Sequence, residues 1–143
     1  MKRTFLFSLA LSMSALLLVG CCDCRKSRKL VRPLQGTEWQ LIQIMAREVT
    51  PADDSFTLMF HSNGTMTGVG DCNRLSATYH TTEKRDLSIE NIGSTRRLCP
   101  NQVAENEFLD MLDEVTHYEM DADIMLLLSK GRLVGMMKAL PAK

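Results

Sequence analysis

Apolar and polar residues alternate along most of the chain beyond residue 36. In "TEWQLIQIM", residues 37–45, Trp39 and Leu41 fall on one face, the period of two expected of a half-buried strand. "SFTLMF", 55–60, places Phe56, Leu58 and Phe60 on one face. "SNGT" follows, and Asn63-Gly64 predicts a two-residue hairpin turn because both residue types tolerate positive φ. "TMTGVG" returns as the partner strand, and "SATYH", 76–80, and "DLSIENI", 86–92, flank the charged turn "TTEKR" as two more strands. The period then changes. In "PNQVAENEFLDMLDEVTHY", Ala104, Phe108, Met111, Leu112 and Val115 share one face of a helix. Pro100 suits the first helical turn, where its missing N–H costs nothing, and Glu105 and Glu107 complement the positive end of the helix dipole. "HYEM", "IMLLLS" and "RLVGMMK" close the chain as short strands, with "SKGR" as the last hairpin turn. One helix cannot cover both faces of a parallel sheet. The predicted class is therefore α+β: a curved, mostly antiparallel sheet packed on one helix.

The first 20 residues follow a different pattern. Lys2 and Arg3 precede an apolar run from Phe5 to Val19, and Gly20 is the small residue at the expected cut, the layout of a secretory signal. "LVGC" resembles the lipobox of bacterial lipoproteins. The resemblance implies that Cys21 becomes the acylated N-terminus of the mature chain. Cys22 is the poorer acceptor, because Cys21 would then fill the small-residue position before the cut. Arg25, Lys26, Arg28, Lys29 and Arg32 lie just beyond the apolar run, where the positive-inside rule counts them against export. The specific processing pattern outweighs that statistical rule. The organisation expected is a signal peptide over 1–20, a basic tether over 21–33 and one domain over 34–140.

Charge divides along the same boundary. The 143-residue chain is formally neutral, yet residues 35–143 carry ten basic and sixteen acidic groups, a net −6. The basic stretch before them could lie against anionic head groups, and a solvated spacer is the plainer account. An acidic domain without a helix-turn-helix, zinc-finger or stacking pattern excludes nucleic acid as the expected partner.

"GDCNRLSATY", "IGSTRRLC" and "ENEFLDMLDEVTHYEMD", in this order, resemble the META/HslJ family of small domains, and "LQGTEWQL" fits the family's first strand. The likeness runs over roughly residues 34–138. Asp71 and Ala77 depart from it, standing where glycine is usual. It implies a half-barrel of antiparallel strands with a helix, and an envelope protein linked to stress tolerance. It supplies no catalytic residues, so the chain is expected to be no enzyme and to need no cofactor. The partners expected are the membrane, through Cys21, and an unidentified envelope protein. The expected location is the outer membrane.

Once Cys21 is acylated, Cys22, Cys24, Cys72 and Cys99 allow three pairings. Cys72 and Cys99 lie in the two family motifs, and an oxidising compartment favours a bridge between them. Closing that loop would stabilise the domain by about 3.5 kcal/mol in the chain-entropy account. Asp71 and Asn73 are then expected to turn the chain by bonding nearby backbone. Two sharper readings compete. Cys99 near a helix N-terminus, or Cys72, could serve as a nucleophile with His61, His80 or His117 as base. "CCDC", or Cys72 and Cys99 with a histidine, could hold a metal, although the spacing fits no zinc pattern. Eight methionines beyond residue 40 raise a copper(I) question, which core gap-filling answers more simply. Arg96 and Arg97 in "STRR" form a candidate anion clamp beside the helix N-terminus, with a solvated basic turn as the plainer account.

Overall fold

The structure, a computed structural model, describes residues 31–142. Strand β1 (Glu38–Ile44) lies at the centre, with the two-residue β2 (Arg47–Glu48) folded back on its end. From one side of β1 a meander runs through β3 (Thr57–Phe60), β4 (Thr65–Val69), β5 (Arg74–Thr81) and β6 (Leu87–Ser94). Helix α1 (Gln102–Glu114) carries the chain across to the far edge. There β7 (His117–Asp121), β8 (Ile124–Ser129) and β9 (Arg132–Ala139) meander back until β9 pairs with the other side of β1. The order is β6-β5-β4-β3-β1-β9-β8-β7, and every pairing between these strands is antiparallel. This is the class that the sequence predicts.

The sheet curves until its two edges touch at one end only. Asp86 bridges to His117, Leu87 N–H donates to Thr116 O at 3.0 Å, and Tyr118 N–H donates to Arg85 O at 3.0 Å. The barrel stays open beyond that point. Helix α1 buries Phe108, Met111 and Leu112 against the concave face, beside Trp39, Leu58, Phe60 and Met137. Phe56 meets Phe108 edge-on at 5.3 Å, and Phe60 meets Tyr79 at 5.0 Å. Each such pair adds about 0.5–1.5 kcal/mol beyond its burial.

Alternation holds where pairing is regular and shifts where it is not. Trp39 and Leu41 face inward as predicted, but the next buried residue is Ile44 rather than Gln43. Leu41 pairs with Met137 while Gln43 pairs with Met136, so Ile42 is an extra residue that turns the pleat over. The turn at Asn63-Gly64 also differs from expectation. Phe60 pairs with Met66, and His61 N–H donates to Thr65 O at 2.9 Å, which leaves three residues in the loop. Only Gly64 has positive φ, at 80°. This is the three-residue hairpin, a tight turn followed by one left-handed glycine. The two-residue turn with positive φ at both positions occurs instead at Lys130-Gly131. Pro100 precedes the helix rather than entering it. Asn101 is the N-cap and its side chain accepts the Ala104 N–H, the bond that orphaned first-turn donors need.

Candidate functional site

The chain between β4 and β5, Gly70 to Asn73, is fastened to the segment that leads into α1. Cys72 and Cys99 form a disulfide with their Cα atoms 5.5 Å apart. Asn73, 1% exposed, holds the same segment by hydrogen bonds. Its Oδ1 accepts from Arg97 N–H and from Thr95 Oγ1, each at 2.7 Å, and its Nδ2 donates to Arg97 O at 3.0 Å. Nδ2 also lies 3.1 Å from Cys99 Sγ. Asp71 Oδ2 accepts the Asn101 N–H at 3.1 Å, so it reaches the cap residue itself. The side chains of Asp71 and Asn73 therefore bond backbone across the fold, not backbone beside them. Asparagine suits this task because one side chain supplies both an acceptor and donors to the N–H and C=O of one facing residue, Arg97.

Glu105 completes this clasp from the first turn of α1. The sequence predicts a carboxylate that complements the helix dipole, and the structure adds that this one is buried, at 1% exposure. Its Oε2 accepts the Asp71 N–H at 2.5 Å, while Oε1 has no partner among the described residues. A Cβ at Gly70 would collide with this carboxylate, which explains a glycine there. The signal that reveals an inward Glu105 is its spacing from Phe108 and Leu112, i, i+3, i+7, on the same helix face.

The other candidates lie elsewhere. Cys72 and Cys99 hold each other, so neither offers a free thiol. His61 Nε2 sits 2.7 Å from Thr67 Oγ1, His117 faces Asp86 at 3.7 Å, and exposed His80 pairs with Ser88 across β5 and β6. Met66, Met111, Met125 and Met137 fill the core, whereas Met45 is 54% exposed. Arg96 and Arg97 are exposed on the clasped loop, and neither guanidinium has a partner among the described residues. Leu98 beside them is 95% exposed. Cys21, Cys22 and Cys24 lie outside the described residues.

A second concave feature has no signal in the sequence. A groove of about 450 Å³ runs between the β1–β2 hairpin and α1. Ile44, Met111 and Val134 form an apolar floor, Met45 and Ala46 one lip, and Glu107, Asp110 and Glu114 the helical rim. Arg47 pairs with Glu107 from the opposite wall, and Arg132 pairs with Glu114 at 3.3 Å.

No curated protein matches this chain. Among solved structures, an NMR structure of a protein from Burkholderia xenovorans aligns at 23% identity and a TM-score of 0.59, covering 76% of this chain and 85% of that one. A second NMR structure aligns at 20% identity and a TM-score of 0.58, covering 73% and 89%. A DUF4847 family protein from Bacteroides vulgatus aligns at 23% identity with a TM-score of 0.49, over 61% of this chain and 60% of that one. The first two likenesses show a shared fold. The META domain model matches residues 32–139, from the segment before β1 through the end of β9, and the chain belongs to the META domain family.

Proposed function

We propose that the chain is a non-enzymatic, lipid-anchored protein of the bacterial cell envelope, held at the outer membrane through Cys21 and acting in stress tolerance or envelope maintenance. The observation that carries this reading is "LVGC" at the end of an apolar run, followed by a basic spacer and then the META domain. The Cys72–Cys99 bridge supports export, because disulfides persist in oxidising compartments and are rare in the cytosol. It also counts against a thiol enzyme, whose nucleophile would be consumed. An unidentified envelope protein remains the expected partner. The exposed Arg96-Arg97 pair fits the same reading, since paired guanidinium groups donate well to the oxygens of head-group phosphate.

Acyl chains add about 0.8 kcal/mol per buried CH₂, so several of them anchor a protein firmly. Fractionation of cells labelled with a radioactive fatty acid tests the anchor. The wild-type chain is expected in the membrane fraction carrying label. Cys21→Ser is expected to lose the label and to appear as soluble protein or uncleaved precursor. A Cys21→Ser variant that fractionates and labels like wild type would overturn the reading.

A further inference from the structure

We propose that the groove between the β1–β2 hairpin and α1 binds a small organic cation, a single ammonium group on an apolar body. The inference goes beyond membrane anchoring and does not depend on it. Two properties of the groove define the ligand. Its floor of Ile44, Met111 and Val134 is apolar, and a space of about 450 Å³ is within the usual range for small-molecule sites. Its rim is acidic, and the three carboxylates are not equivalent. Glu107 is engaged by Arg47 and Glu114 by Arg132, while exposed Asp110, between them on the helix, has no partner among the described residues. A ligand ammonium would meet that carboxylate while its body covers the floor. An anionic amphiphile of the same shape would face uncompensated like charge. A bare metal ion would gain nothing from the floor.

The local backbone presents the apolar lip. Met45 has φ of 51°, a left-handed conformation uncommon for a bulky residue, and remains 54% exposed. The two-residue turn between Ile44 and Arg47 sets that conformation and leaves the side chain on the surface. Methionine suits a binding surface because its unbranched thioether adapts to different shapes. On the floor, Met111 lies over Gly135, where a Cβ would strike its sulfur. The net −6 of residues 35–143 adds a long-range field that favours cations over anions.

The experiment uses the full chain in zwitterionic nanodiscs with ¹³C-methyl methionine. Exposed Met45 and Met111, buried at the groove's floor, report on binding, and Met66 and Met137, buried and not part of its lining, serve as internal references. Naphthylethylamine is the cationic probe and naphthylacetate its anionic counterpart. The amine is expected to shift the Met45 and Met111 methyl signals saturably, with little change at Met66 and Met137 and little response to the acetate. Asp110→Asn, a surface change, is expected to weaken amine binding about threefold to fivefold, the scale of one exposed charge pair. Absence of a saturable shift, equal titration by both probes, or unchanged affinity in Asp110→Asn would each overturn the proposal.

Discussion

Helix α1 is attached to the sheet in two unlike ways. Its first turn and the segment leading into it are bolted to the β4–β5 turn by a disulfide and by polar side chains withdrawn from water, Asn73 and Glu105 at 1% exposure each. Its outer flank faces the β1–β2 hairpin across an open groove, spanned by the exposed Arg47–Glu107 pair. The first attachment is directional, because each bond fixes one peptide against another and each buried polar atom is costly to leave unpaired. The second is permissive, because apolar contact has little angular preference and an exposed ion pair contributes about 0–1 kcal/mol. A domain that must keep its helix registered while leaving one surface adaptable gains from placing these two fastenings apart.

The largest effect is expected from opening the clasp. Cys72→Ser and Cys99→Ser should each destabilise the domain by about 2–4 kcal/mol in urea unfolding. The double variant should cost little more than either single one, because the same bond is lost in every case. Additive losses would mean that the two sulfurs contribute separately. Peptide mapping of the non-reduced protein supplies the chemical check: the two cysteines should be recovered in one cross-linked peptide pair and should resist alkylation before reduction.

Asn73 and Gly70 probe the polar part of the clasp with the bridge intact. Asn73→Ala should cost about 1–3 kcal/mol, and hydrogen exchange at the Arg97 amide should accelerate while that of the β8 amides stays slow. Gly70→Ala forces a methyl group into the Glu105 carboxylate and should cost about 1–3 kcal/mol as overpacking does. Because the clash is with one named side chain, the penalty should shrink in a Glu105→Ala background. An unchanged penalty there would show that the backbone at Gly70, not Glu105, demands glycine.

The two regions also differ in how far the sequence discloses them. Alternation reveals the strands because one face of each is buried, as at Phe56, Leu58 and Phe60. It does not reveal the shift from Leu41 to Ile44, since that depends on where β9 pairs. The residues of the clasp stand out as a motif, "GDCN" with "STRRLC", and the Cys72–Cys99 pairing is the one of three that the family resemblance and an expected oxidising compartment favour. The tasks of Asn73 and Asp71 do not, because hydrogen bonds to residues 24 and 30 positions away are a property of the fold. Glu105 was legible in part: helix phase places it inward, while its charge argues for water. The groove was not legible at all. Its two walls are sixty residues apart at Arg47 and Glu107, and no local spacing connects them.

The smallest effect is expected where the groove walls meet. Arg47 and Glu107 are both well exposed, with side chains 59% and 45% accessible. Holding two long side chains in one geometry costs entropy, and water and salt screen their attraction. Arg47→Ala should therefore change unfolding free energy by less than about 1 kcal/mol, and the difference from wild type should fade as salt is raised. A double-mutant cycle with Glu107→Ala isolates the pair from the separate effects of each truncation. A coupling several times larger, and insensitive to salt, would mean that the outer flank is fastened as rigidly as the clasp. The contrast between the two attachments would then be lost, along with the adaptability that the groove derives from it.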